Sequence, residues 1–250
     1  MARSQDVGYL FDKECENLNY LREKSVDSIP EVLFRCDLDD LKLFCQSSVK
    51  DKSGQTIDRM TEKHWLFLAN LYNKTRTVIK FEETDYYALL KRVKKNAVVL
   101  KETDLEIVQR ACELISKKYN NSTVEFGFYH GDFTPWNTVI ENGKIKVFDF
   151  EYAKRTYPPY LDAVHYLLQK NFFVDGLNDA NQIYSSLKES SIWKKFDDRR
   201  SLEMVIMYLL EIINLYLSRT SEESLDEKSR QKIRIEILEK AVTEYANLSR

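Results

Sequence analysis

"FYHGDFTPWNTVIENGKIKVFDFEYA", residues 128–153, sets a histidine, two aspartates, a proline and two asparagines among short apolar runs. Asn142-Gly143 joins two of those runs, 138–140 and 144–148, as a tight hairpin. Pro135 forces a turn between Asp132 and Asn137, and Asp149 lies at the end of the second run. A hairpin that returns the chain brings Asn137 and Asp149 to one edge. A carboxylate and an amide oxygen side by side are hard ligands, suited to Mg²⁺ that keeps waters and shares phosphate oxygens. Asp132 then stands nearby, free to accept the proton of an attacking hydroxyl. Phosphoryl transfer needs this arrangement, because its catalysis rests on positioning and charge neutralisation. A loop of turn-forming Asp and Asn without chemistry is the alternative, and spacing alone leaves both readings open.

Outward from this stretch the chain is mostly helical. "EKHWLFLANLYNK", "TDYYALLKRVKK" and "ETDLEIVQRACELISKKY" read as three helices with short polar breaks. The third carries an apolar stripe through Leu105, Val108, Ala111, Cys112 and Ile115, with Thr103 or Asp104 as N-cap. After Pro158-Pro159 the pattern is helical to the end of the chain, with a buried helix over 204–217 and a last helix from about Asp226 to Leu248. Before Thr61, a helix over about 10–24 leads to a strand hairpin around Asp37–Asp40, then a polar connector, "KDKSGQT". The reading is a small mixed segment, 1–50, and a larger helical segment, 51–250, with the polar loop at its centre.

The 250 residues have a net charge of −2 and 43% hydrophobic residues, an ordinary balance for a globular chain. Such a charge offers no general field for nucleic acid or an anionic membrane. The longest apolar stretch, 204–217, is too short to span a bilayer. Cys15, Cys36, Cys45 and Cys112 lack metal-ligand spacing, and with no signal peptide at Met1 the expectation is reduced thiols in the cytoplasm.

"HGDFTPWN" followed by "VFDFEYA" resembles the catalytic and metal loops of the aminoglycoside phosphotransferase and choline kinase-like family, a distant relative of protein kinases. The family pattern is H-G-D-x-x-x-x-N, an apolar strand, then Asp; His130, Gly131, Asp132, Asn137 and Asp149 match it. The resemblance implies Asp132 as catalytic base, Asn137 and Asp149 as Mg²⁺ ligands, and His130 as a residue that fixes the loop. "YLDAVHYL" looks like the family helix that follows, with Asp162 bracing the loop and Ala163 where many members have leucine. More weakly, "KECENLNYLREK" looks like the family's N-lobe helix, with Glu14 where a glutamate pairs with a phosphate-binding lysine. "LKLFCQSS" looks like the hinge strand, whose backbone at Cys45, Gln46 and Ser47 would receive the ring of ATP or GTP.

The implied fold is α+β and protein-kinase-like, with an abbreviated N-lobe of one helix plus a strand hairpin, and a mainly helical C-lobe carrying the catalytic-loop hairpins. The implied activity moves the γ-phosphate of ATP or GTP to a hydroxyl on a sugar, amino alcohol or aminoglycoside-like acceptor. Ordinary members carry three strands before the helix, with a phosphate-covering turn and the lysine. Thirteen residues precede Glu14 here, and Gly8 is the only glycine before Gly54. A non-catalytic kinase-like binding module is therefore the rival expectation, as is self-association or a partner chain at the shortened N-lobe edge. Glu151 and Trp136 are candidates for substrate contact, against a surface glutamate and a packed tryptophan. His165 is read as packing on a helix and His64 as standing at a helix start, and neither needs a role.

Overall fold

The computed structural model describes residues 5–38, 41–48, 56–218 and 225–248. It has the mixed α+β character expected, with helices dominating and strands in small sheets. The chain opens with α1 (Gln5–Glu23), then β1 (Val32–Leu38) and β2 (Leu41–Gln46), paired antiparallel. The turn of that hairpin and nearly all of the 50–56 connector lie outside the described residues. Next come α2 (Glu62–Thr75), β3 (Thr77–Lys80), α3 (Asp85–Asn96), α4 (Glu102–Tyr119), β4 (Thr123–Tyr129), β5 (Thr138–Glu141), β6 (Lys144–Val147) and β7 (Lys154–Tyr157). The remainder is helical: α5 (Leu161–Phe173), α6 (Ala180–Glu189), α7 (Ser191–Lys195), α8 (Asp198–Leu217) and α9 (Leu225–Asn247).

The helices follow their apolar spacing. In α2 the buried positions His64, Phe67, Leu68, Leu71 and Thr75 recur at three- and four-residue intervals, so they share one face. α4 buries Val108, Ala111, Cys112 and Ile115 as read from the sequence, but its N-cap is Lys101, not Thr103 or Asp104. Glu102 and Asp104 fall inside the first turn instead, where their charge complements the helix dipole. α8 is buried from Ser201 to Leu210 on every side, with α3, α4, α5 and α9 packed around it. A helix that is apolar all round needs such a sheath.

Two strands were not legible in the sequence. β3 and β7 flank β4 in a three-stranded antiparallel sheet, with Thr77 opposite Phe126 and Gly127 opposite Tyr157. Each is four residues long, and "KRTY" in β7 carries no alternating apolar signal. β3, with Thr77, Val78 and Ile79, has strand propensity over only four residues, and pairing with β4 is what makes both of them strands. The β5–β6 hairpin is as expected, with Asn142 and Gly143 both at positive φ, the turn that suits a right-handed strand twist.

Leu18, Leu21 and Val26 belong to the same apolar cluster as the helices after Thr61, so the first segment has no separate core. Hydrogen bonds reinforce the join: Val147 N–H donates to the Ser28 carbonyl at 2.9 Å, and Asn17 Nδ2 to the Phe150 carbonyl at 2.8 Å. All four cysteines are free, and burial pushes the Cys112 thiol up to about 12. Among the described residues, no helix is long and apolar enough to cross a membrane.

His64 has a structural task after all. The Thr61 N–H donates to its Nδ1 at 3.1 Å, closing the start of α2, and its ring packs edge-on against Phe133 and Tyr166. Burial lowers its pKa to about 4. A group depressed in the folded state gives its full stability above the unfolded value, near 6.5, and loses it as pH falls toward 4. The stability difference between the parent and His64→Gln should therefore shrink by about 2 kcal/mol from pH 7 to pH 5, at about 1.4 kcal/mol per pH unit. Urea denaturation of both proteins at the two pH values reads this directly. An unchanged difference would mean that His64 titrates alike in the folded and unfolded chain, so that burial does not depress its pKa.

Candidate active site

The polar loop leaves β4 at His130 and reaches β5 at Thr138, and its fold is set by local bonds. Asn137 N–H donates to the Thr134 carbonyl and hydroxyl at 3.2 and 3.1 Å, and Thr138 Oγ to the Thr134 carbonyl at 3.0 Å. Phe133 is fully buried and stacks on Phe67 of α2 with centroids 6.0 Å apart, anchoring the loop to the core. Gly131 sits at φ +87°, and a Cβ there would stand 2.6 Å from the Tyr152 carbonyl oxygen. Only glycine fits that position.

Asp162, at the start of α5, is hydrogen-bonded to the loop. Its two oxygens accept the N–H groups of His130 and Gly131 at 3.0 and 3.1 Å. Burial pushes its pKa up to about 7, against the opposing pull of those two donors. His130 is fully buried. Its Nδ1 accepts the Asp132 N–H at 3.1 Å, so Nε2 carries the hydrogen and donates to the Phe148 carbonyl at 3.1 Å. Burial lowers its pKa to about 4, which keeps it a neutral loop-fixing residue.

Asp132 is held from both sides. Asn137 Nδ2 donates to its Oδ2 at 2.7 Å and to its backbone carbonyl at 3.0 Å. His165 Nε2 lies 3.2 Å from Oδ1. Burial pushes the Asp132 pKa up, but the hydrogen bond from His165, the electrostatic influence of the two histidines and the hydrogen bond from Asn137 outweigh it and hold the carboxyl below its usual value. The side chain keeps 27% exposure, so solvent and a ligand reach it.

With its amide nitrogen spent on Asp132, Asn137 has its Oδ1 left to accept or coordinate. Phe148 N–H donates to the Asn137 carbonyl at 3.2 Å, which sets Asn137 opposite the residue before Asp149. Asp149 adopts a left-handed φ of +73°, a conformation Asp tolerates better than most residues. Its pKa rises to about 6 through burial and then through the charges of Glu151 and Asp132. Crowded carboxylates of this kind suit a cation. An amide oxygen, a carboxylate, waters and phosphate oxygens make a fitting Mg²⁺ set. Among the described residues, no group of three or more His, Cys, Asp or Glu comes together in a way that could hold a metal ion.

Glu14 is buried, and its carboxylate takes the Phe150 backbone N–H and a side-chain hydrogen bond from Gln46, while Oε1 has no partner. Burial, then the charge of Asp149, pushes its pKa up to about 7. With Asn17 on the Phe150 carbonyl, α1 grips both backbone groups of the residue after Asp149. Lys13 points elsewhere and pairs with Glu16 at 3.0 Å. At the implied hinge, Ser47 N–H is already spent on the Glu31 carbonyl at 2.8 Å, so it is not free for a base. Cys45 and Gln46 lie in β2 opposite Phe34 and Val32. Glu151 lines a cleft of about 560 Å³ between α1, α3 and α8 that Asp132 and Asn137 do not line. Trp136 is 43% exposed and meets Phe173 edge-on at 5.9 Å, so it is not a packed core tryptophan.

His165 is the correction. Read as packing, it instead contacts the carboxylate of Asp132 and, through Nδ1, the hydroxyl of Tyr208 at 3.0 Å. One signal was available: residues three apart on a helix share a face, so His165 must look where Asp162 looks. Tyr208, on α8, gave none. No family model and no curated protein matches the chain.

Proposed function

We propose that this chain is a small-molecule O-phosphotransferase of protein-kinase-like fold, resembling the aminoglycoside phosphotransferase and choline kinase-like family. It acts on ATP or GTP and a hydroxyl of a sugar, amino alcohol or aminoglycoside-like acceptor. The observation that carries the reading is Asp132: a partly exposed carboxylate fixed by Asn137, with Asp149 near enough to feel its charge.

In the proposed reaction the acceptor hydroxyl lies against Asp132, which still has free lone pairs on both oxygens. As the hydroxyl oxygen forms its bond to the γ-phosphorus, the bond from phosphorus to the bridging oxygen breaks. The hydroxyl proton passes to the Asp132 carboxylate, and the nucleoside diphosphate leaves. Asn137 and Asp149 would hold Mg²⁺, which when bound neutralises charge on the phosphate oxygens. Cys45 and Gln46 remain the hinge positions for the base, and the exposed ring of Trp136 offers a face to the acceptor.

The second reading is a kinase-like binding module without turnover. It is favoured by the partnerless Glu14 oxygen, where the resemblance implies a lysine. Leu33 and Phe34 are exposed on β1 of a two-stranded sheet, and self-association or a partner strand there belongs to that reading. A cytoplasmic setting fits the four free thiols.

Calorimetric titration with ATP and GTP, with and without Mg²⁺, tests the proposal. Binding should require the metal and weaken at least ~10-fold, about 1.4 kcal/mol, in Asp149→Asn. Metal-independent binding that survives the substitution would remove Asp149 from the site.

A further inference from the structure

Resting on that reading, we infer that His165 is a positioning residue for Asp132, and that Tyr208 sets the tautomer in which it works. The Tyr208 ring is fully buried, and its hydroxyl lies 3.0 Å from His165 Nδ1. Burial pushes the phenol well above its ordinary pKa, so it stays protonated and acts as the donor. Nδ1 is then the acceptor and the ring hydrogen sits on Nε2. That hydrogen faces Asp132 Oδ1 at 3.2 Å, while Asn137 holds Oδ2 at 2.7 Å.

One donor on each oxygen fixes the plane of the carboxylate, because rotation about its terminal bond would break both contacts. With Asn137 alone, the group could swing about a single bond. In the opposite tautomer a bare Nε2 would present its lone pair to Oδ1, and repulsion would replace the bond. His165 is 3% exposed, so water has little access to replace either partner. The contacts join α8, α5 and the loop in one line, running from Tyr208 through His165 to Asp132. A base must be within hydrogen-bond reach of the proton it takes, and misplacement by about 1 Å costs on the order of 10²-fold in rate.

The full chain has three histidines, His64, His130 and His165, which makes ¹⁵N spectra of histidine-labelled protein readable. His165 should show a protonated Nε2 and a bare Nδ1. Tyr208→Phe should move it toward the other tautomer, and Asp132→Asn should shift its Nε2–H signal. In kinetics, His165→Leu should lower kcat by about 10²-fold with little change in KM for nucleotide or acceptor. His165→Gln, whose amide N–H reaches toward the place of Nε2–H, should restore most of the loss. Parental kcat in His165→Leu, or a glutamine variant no better than leucine, overturns the inference. If the parent turns over no acceptor, the phosphotransferase reading fails, and the spectra still decide this one. A bare Nε2, or a His165 signal indifferent to Asp132→Asn, would overturn it.

Discussion

Asp132→Asn should lower turnover by about 10³-fold, the range in which a positioned general base acts, with nucleotide affinity nearly unchanged. The amide keeps the size of the carboxylate and loses its capacity to take a proton. Its geometry changes too. In the parent, Asp132 presents two acceptor oxygens to two donors, Asn137 Nδ2 and His165 Nε2. The asparagine NH₂ must face one of them, donor against donor, so one contact is lost whichever way the amide lies. The nucleotide is proposed to sit at Asn137, Asp149 and the hinge, none of which is altered. Steady-state turnover and calorimetry on the same preparation separate the two effects. A variant that works at the parental rate would show that Asp132 is not the base. Equal loss of nucleotide binding would mean that the loop itself has moved.

The second large effect is on folding. Asp162→Ala should destabilise the chain by about 4 kcal/mol, because it leaves the His130 and Gly131 N–H groups without their acceptor, at roughly 1–3 kcal/mol each. Both oxygens of Asp162 are in use, at 3.0 and 3.1 Å, and the residue is 3% exposed, so water does not readily take over. Gly131 leaves no slack, since its backbone already lies against the Tyr152 carbonyl. Asp162→Asn should recover only part of the loss, because its NH₂ opposes one of the two N–H donors. Urea denaturation midpoints measure this without reference to any substrate. Matching midpoints for parent and alanine variant would show that the loop does not depend on Asp162, and the bracing role would be withdrawn.

The loop was legible because its contacts are short in sequence. Asp132 and Asn137 are five residues apart across a turn that Pro135 enforces, and the Asn142-Gly143 hairpin brings Phe148, the neighbour of Asp149, back against Asn137. Glu14 was legible as a candidate but not in its contacts. Its place in the chain suggested a lysine partner, whereas the folded carboxylate meets the Phe150 backbone and the charge of Asp149. Ser47 was offered as a free hinge donor, and its N–H turned out to be spent on Glu31 once β1 and β2 had paired.

By itself the sequence determined the helices, through apolar residues returning every three or four positions. It also determined the β5–β6 turn and the cluster of oxygen donors between residues 132 and 149. These depend on backbone torsions and on neighbours within a few turns of chain. The tertiary structure alone decided that β3 and β7 are strands and that α1 grips Phe150. It likewise decided that His165 and Tyr208 line up behind Asp132. Those partners lie between 25 and 133 residues apart. Tyr208 meets His165 because burying α8 among α3, α4, α5 and α9 leaves its few polar groups no water to turn to, only polar groups on the elements packed against it.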